Sequence, residues 1–230
     1  MKHVLCIAIG VVLSSSAMAF YEGFDDITTL AGGGWSMQNL SDLPTNNWFQ
    51  GNPTAFVAFS GADDSYIGAN YQFTSGTTGS ETISGWLITP EMAMSNGDTF
   101  SFYTRTPDGS LWADRLQVRL GSGSSTNAGS VAEDVGNFTT LLLDINPNEV
   151  AGAANYPQTW TEYEVTMSGL SGGFSGRLAF RYYIHNAGPN GNNSNYIGID
   201  EFNYNPVPEP ATMSVLGLGA LALIRRRARR

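Results

Sequence analysis

The chain has 230 residues, and between Glu22 and Glu209 it carries 20 acidic residues against five arginines and no lysine, a formal charge of −15 for that span. Such a surface repels nucleic acid and anionic lipid, so neither is predicted as a partner of this part of the chain. The acidity is compatible with binding of Ca²⁺, which prefers carboxylate and carbonyl oxygens, and equally with solubility alone.

Residues 1–19 have the pattern of a secretory signal peptide. A basic start precedes an apolar stretch from Val4 to Leu13, and Ala17-Met18-Ala19 places small residues at both cleavage-determining positions. Signal peptidase is therefore expected to cut before Phe20. Cys6, the only cysteine, would leave with the peptide, so the exported chain is not built around disulfides. The alternative, a first strand of the fold, is weaker.

Residues 20–206 are predicted to form one all-β domain, a jelly-roll-type antiparallel β-sandwich. Short strand-like runs recur between Gly, Asn and Ser turn signals, and few windows show helical periodicity. Leu116, Val118 and Leu120 share one face, as a half-buried antiparallel strand requires. The predicted strands cover residues 55–60, 67–74, 85–89, 99–106, 115–121, 138–145, 160–167, 177–185 and 196–204.

Six segments carry a family resemblance: residues 85–90 (GWLITP), 114–120 (DRLQVRL), 136–142 (GNFTTLL), 156–160 (YPQTW), 176–182 (GRLAFRY) and 193–200 (NSNYIGID). Together they resemble the jelly rolls of cleaved-adhesin and MAM-like domains and of the choice-of-anchor J family. The resemblance extends from about Glu22 to Tyr204 and implies a secreted or surface domain whose homologues carry different C-terminal anchors. It implies no known ligand or reaction.

The resemblance also implies a structural Ca²⁺, since related jelly rolls often join the first strand region to the last through this ion. Glu22 and Asp200 are the residues that match. Asp63 and Asp64 resemble a second calcium loop, although the full alternating Asp pattern is missing. The alternative for all four residues is ordinary duty in loops and caps.

Exposed aromatic side chains would favour carbohydrate binding, because jelly rolls commonly stack them on sugar faces. The candidates in or near predicted loops are Trp35, Trp48, Trp112, Trp160, Tyr66 and Tyr156. Large aromatics normally belong to the core of a sandwich, so most of these, and Trp86 in particular, are expected to be buried. Trp112, close to the turn Pro107-Asp108-Gly109, is predicted to be exposed, and the polar loop 190–195 suits hydroxyl recognition.

Catalysis is not predicted. Residues 169–173 match the G-x-S-x-G pattern but connect two predicted strands, whereas that motif requires a strand-to-helix turn. His185 is the only histidine left after export, which excludes a three-histidine zinc site. Glu162 and Glu164 face one way on a strand and could suggest a glycosidase pair, yet a solvated strand face explains them as well.

The C-terminal 24 residues have three parts that do not fit a globular domain. They are the motif Val207-Pro208-Glu209-Pro210, an apolar run from Ala211 to Ile224 predicted as a single helix, and the basic end Arg225, Arg226, Arg227, Arg229 and Arg230. A buried core helix is the alternative, but Gly217 and Gly219 weaken it. The order of the parts resembles the PEP-CTERM sorting signal, which implies processing by an exosortase.

The apolar run is about 21 Å long as a helix, shorter than the roughly 30 Å hydrocarbon core of a membrane. It is therefore marginal as a permanent anchor, and transient anchoring in the inner membrane is expected, with the arginines acting as a cytoplasmic stop. The prediction for the whole chain is an exported protein of the cell surface or matrix, with an adhesive or structural role in extracellular polysaccharide. The alternatives are a lectin-like module and, less favoured, a glycoside hydrolase.

Overall fold

The computed structural model describes residues 18–207 and confirms the predicted all-β, antiparallel β-sandwich. Residues 1–17 of the predicted signal peptide, the predicted C-terminal helix and the arginine end lie outside these residues. The strands are β1 (Phe20–Glu22), β2 (Ser36–Asn39), β3 (Phe49–Gln50), β4 (Ile67–Asn70), β5 (Glu81–Ile88), β6 (Met92–Met94), β7 (Thr99–Arg105), β8 (Leu116–Ser122), β9 (Thr140–Ile145), β10 (Thr161–Thr166), β11 (Phe174–Ala187) and β12 (Tyr196–Asn205). Two short 3-10 turns cover Ile27–Thr29 and Tyr71–Phe73. No helix within 18–207 has the length and apolar character needed to span a membrane.

Two six-stranded sheets make up the sandwich. The first has the order β10-β7-β12-β4-β3, with β1 paired to the end of β12, and the second has the order β2-β5-β11-β8-β9, with β6 paired to the start of β11. Neighbouring strands in each sheet are antiparallel, and most of them are distant in sequence. Each sheet is therefore held together mainly by hydrogen bonds between distant parts of the chain.

Aromatic rings from both sheets meet in the core. Phe180 of β11 packs edge-on against Phe102 of β7, with ring centroids 4.9 Å apart, and against Phe202 of β12 at 5.7 Å. All three rings are fully buried. Edge-to-face contacts of this kind stabilise a core beyond the area that they bury, so these rings hold the two sheets together.

Residues 55–60 are not a strand, which corrects one prediction. Their aromatic side chains instead cover the outer face of the first sheet, where Phe56 stacks on Tyr66 with centroids 5.0 Å apart and Phe59 stacks on Tyr103 at 3.8 Å. The predicted strand 67–74 is also shorter, because Asn70 ends it and caps the 3-10 turn that follows.

Candidate functional site

A surface pocket of about 310 Å³ lies beside Trp112. Trp112 is 46% exposed and Tyr71 36%, and the neighbouring Leu111 is 78% exposed, so apolar surface is concentrated here. The lining residues are Tyr71, Trp112, Gly188, Pro189, Gly191, Ser194 and Asn195. The volume is at the lower end of the range typical of small-molecule sites.

Asn195 joins the walls of this pocket. Its backbone carbonyl accepts the N–H of Tyr71 at 3.0 Å, and its side-chain amide donates to the Ser110 hydroxyl at 2.8 Å. Its backbone N–H donates to Asp114 Oδ1 at 2.8 Å. Because two separate chain segments, at Tyr71 and in the loop 110–114, are bonded to this one residue, the walls of the pocket are held together by the fold itself.

Asp114 is the buried anchor of the same network. Its carboxylate also accepts the hydroxyls of Tyr182 (2.6 Å) and Thr106 (2.7 Å). Burial raises the pKa of Asp114 to about 6, because the removal of water from the carboxylate outweighs the hydrogen bonds, which lower the pKa. No basic side chain within residues 18–207 forms a salt bridge with it.

The pocket offers apolar and hydrogen-bonding surface without charge. None of its lining residues, all within the described range, is acidic or basic, although the domain as a whole is strongly acidic. An aromatic ring beside hydroxyl and amide groups suits a neutral ligand with one apolar face and several hydroxyls.

The other aromatic candidates are buried or partly buried. Trp35 and Trp48 are each 4% exposed. Tyr66, Tyr156 and Trp86 are buried as well, and Trp86 packs in a cluster with Phe138. Trp160 is partly buried, and its indole N–H donates to the carbonyl of Val57 at 2.9 Å. These positions agree with the expectation that most of the candidates would be core residues.

The predicted calcium residues lie in three places. Glu22 ends β1, and its carboxylate accepts the N–H of Phe24 at 2.9 Å, while burial raises its pKa. Asp200 lies in β12, the strand that pairs with β1. Asp63 and Asp64 are exposed in the loop between β3 and β4.

Asp200 is fully buried and caps the loop that crosses the first sheet. Its Oδ2 accepts the N–H groups of Phe59 (2.8 Å) and Ser60 (3.2 Å), and its Oδ1 accepts that of Glu201 (2.7 Å). Burial raises its pKa to about 6. Within residues 18–207 no three Asp, Glu, His or Cys side chains are grouped so that they could hold a metal ion. As placed, these residues do not complete a calcium site, and calcium stays a prediction.

The residues considered for catalysis have structural surroundings. Residues 169–173 form the connection between β10 and β11, without the helix that a nucleophile elbow requires. His185 Nδ1 lies 2.7 Å from Glu149 Oε1, and its Nε2 lies 3.1 Å from the Tyr183 hydroxyl. Glu162 and Glu164 are exposed on one face of β10, which is an edge strand.

Val207 is the part of the predicted sorting motif that falls within the described residues. Its N–H donates to Oδ1 of the buried Asp98 at 2.8 Å. Pro208, Glu209 and Pro210 lie outside these residues. The sandwich therefore binds the first residue of the motif.

Tyr71 was not identified from the sequence as a pocket residue, because Tyr71 lies inside the predicted strand 67–74. The available signal was Asn70, whose side-chain oxygen accepts the N–H of Gln72 at 2.9 Å and thereby starts a turn. With the strand ended there, the ring of Tyr71 is free to line the pocket of Trp112.

Comparison with known proteins gives one match in the sequence and several in the fold. Residues 206–230 match the model of the PEP-CTERM protein-sorting motif. No curated protein matches the chain in sequence. The K1 cleaved adhesin domain of Lys-gingipain from Porphyromonas gingivalis W83 has a similar fold, with a TM-score of 0.56 and 21% identity over 83% of this chain and 99% of that one. The K3 cleaved adhesin domain of the same protein also has a similar fold, with a TM-score of 0.52 and 19% identity. That match covers 81% of this chain and 98% of the K3 domain.

These similar structures support the sandwich fold. The sorting motif marks the chain as an exported protein that is sorted to the cell surface, and it implies processing by an exosortase.

Proposed function

We propose that the exported sandwich is a non-catalytic adhesion module that binds extracellular polysaccharide through the pocket of Trp112. The observation that carries the proposal is the exposed tryptophan beside an uncharged, hydrogen-bonding pocket, while Trp35, Trp48 and Trp86 are buried. The names of the two similar structures, both adhesin domains, fit an adhesive role.

The expected contribution of Trp112 is moderate. A sugar face that shields roughly 70 Å² of the ring would stabilise the complex by about 1.8 kcal/mol at about 25 cal/mol per Å². That free energy corresponds to more than a tenfold change in affinity. Adhesion at a surface can use such weak sites, because many copies bind one polymer together.

The test compares Trp112→Ala with the intact protein in a glycan array and in pull-down of polysaccharide from the extracellular matrix. Binding is expected in the intact protein and is expected to fall about tenfold or more in the variant. Phe59→Ala is the matched control, because Phe59 is 47% exposed in a loop outside the pocket. Equal binding by Trp112→Ala and intact protein, or no binding by either, would contradict the proposal.

The proposal also covers the tail. A run of 14 apolar residues is short for a permanent anchor but sufficient to hold the chain until processing, with the arginines as the cytoplasmic stop. On this view the tail delivers the sandwich, and the pocket then attaches it to polysaccharide.

A further inference from the structure

A second pocket, of about 420 Å³, shares the 3-10 turn Tyr71–Phe73 with the first. Its lining residues are Asn46, Asn47, Trp48, Phe49, Asn70 and Gln72. Tyr71, which stands between Asn70 and Gln72 in the chain, lines the pocket of Trp112 instead. One short turn therefore contributes to both pockets, which makes them neighbours on the surface.

Four carboxamides give the second pocket its chemistry. Asn70 and Asn47 are fixed by local bonds, since their side-chain oxygens accept the N–H groups of Gln72 (2.9 Å) and Trp48 (3.0 Å). Among residues 18–207, the side chain of Asn46 forms no hydrogen bond and the Gln72 amide N–H₂ donates none. Carboxamides supply donors and acceptors together, which is what neighbouring sugar hydroxyls require.

Trp48 lines this pocket, but its indole N–H is buried. Trp48 is 4% exposed, and its N–H has no hydrogen-bond partner in the described part of the chain. The indole N–H of Trp35 is also unpaired, but Trp35 packs among Phe20, Phe24 and Phe202 and lines neither pocket. The Trp48 ring packs edge-on against the buried Phe73, so the exposed carboxamides, and not this N–H, are the groups of the pocket that a ligand can reach.

We infer that the two pockets are adjacent subsites for one neutral oligosaccharide of at least two sugar units, an inference that rests on the proposed function. The Trp112 pocket would receive one unit by stacking, and the amide pocket would receive a neighbouring unit by hydrogen bonding. Neither pocket has a charged lining residue within the described range, and the strongly acidic domain around them repels polyuronates. The ligand class is therefore a neutral, hydroxyl-rich glycan.

The test measures affinity against ligand length by titration calorimetry. It uses the full chain in a detergent without a sugar headgroup, with α-1,6-glucan, β-1,4-glucan and β-1,4-mannan oligomers of one to six units. For at least one of these series, affinity is expected to rise about tenfold or more from one unit to three. Polygalacturonate oligomers of equal length are expected to bind at least tenfold more weakly.

The double variant Asn46→Ala/Gln72→Ala locates the second subsite. It is expected to weaken binding of the trimer about tenfold and to leave binding of the single sugar unchanged, whereas Trp112→Ala weakens both. Asn155→Ala, an exposed amide elsewhere, is the control for folding and for general surface effects. The inference fails if affinity does not depend on the length of the oligomer, or if the double variant binds the trimer as tightly as the intact protein does. It also fails if polygalacturonate oligomers bind as tightly as the neutral ones. If Trp112→Ala still weakens binding in that case, the proposed function stands; if no oligomer binds and Trp112→Ala changes nothing, both fail.

Discussion

Mild acid should stabilise this protein. Asp114 is fully buried, and its pKa in the folded protein is raised to about 6 from an ordinary value of 3.8. Between these two values the folded state binds more protons than the unfolded state. Stability therefore falls as the pH rises through this window and increases as the pH drops from 7 towards 5. Asp200, whose pKa burial also raises to about 6, acts in the same direction.

The magnitude follows from the two pKa values of Asp114. Their difference corresponds to at most about 3 kcal/mol once the group is protonated in both states. From pH 7 to pH 5 one such group adds roughly 1.3 kcal/mol to the free energy of unfolding. For a domain of this size that is a rise in Tm of about 3 to 5 °C. Glu81 acts in the opposite direction: its bond to Thr78 lowers its pKa to about 2, so its contribution is lost only as the pH falls through and below 4.5.

The assay is urea unfolding of the exported protein at pH 7, 6 and 5, followed by the fluorescence of its tryptophans. Asp114→Asn is the matched variant. It keeps an acceptor for Tyr182 and Asn195, and its amide can donate to Thr106 if that hydroxyl turns. The variant is expected to lose the part of the pH dependence that belongs to Asp114. A lower free energy of unfolding at pH 5 than at pH 7 would refute the reasoning, and so would an Asp114→Asn variant with the full rise.

Two further predictions concern calcium and the tail. If Ca²⁺ joins Glu22 to Asp200, a chelator should lower the Tm by several degrees and Glu22→Gln should abolish the difference; equal Tm values with and without chelator in the intact protein would remove the idea. Deletion of residues 208–230, which leaves the bond between Val207 and Asp98 intact, should shift the protein from the envelope and surface fractions to the medium; an unchanged distribution would contradict a sorting role for the tail.

The strands could be predicted where alternation runs for five residues or more. Eight of the nine predicted runs contain a strand, including the long β11, whose Leu178, Phe180, Tyr182 and Ile184 point into the core. The missed strands β1, β2, β3 and β6 have two to four residues, too few to show a period.

The run 55–60 is a short apolar segment like a buried strand, yet its backbone N–H groups bond to a side chain and to a turn. The N–H groups of Phe59 and Ser60 donate to Asp200, about 140 residues further along the chain, and that of Ala58 donates to the carbonyl of Asp63. The local pattern of apolar residues carries no information about a hydrogen bond to a residue so far away in the sequence. A local pattern can indicate that a segment has two faces, but the distant residue that accepts its N–H groups decides whether it joins a sheet.

The exposure of Trp112 was predictable, because a turn precedes it and turns lie at the surface. Its partners were less predictable, since Tyr71 and Asn195 reach the same pocket from β-strand ends that are distant in sequence. The amide pocket was not predicted at all. Its four amide residues are of types common in turns and loops, so none of them stands out in the sequence: Asn46, Asn47, Asn70 and Gln72. They line one pocket only because the fold brings the two segments together.

The distribution of charge in the domain agrees with the proposed binding of a neutral ligand. Asp114 is inside the fold, where it organises the segments around the pocket through hydrogen bonds without lining the pocket itself. Exposed acids such as Glu162 and Glu164 lie on an edge strand, where they oppose pairing with another sheet. Acidity favours the solubility of the domain, while the residues that line the pocket are uncharged. If the pocket of Trp112 bound an anionic polymer as tightly as a neutral one, this account of the charge distribution would be wrong. The affinities for neutral and for polygalacturonate oligomers of equal length test it directly.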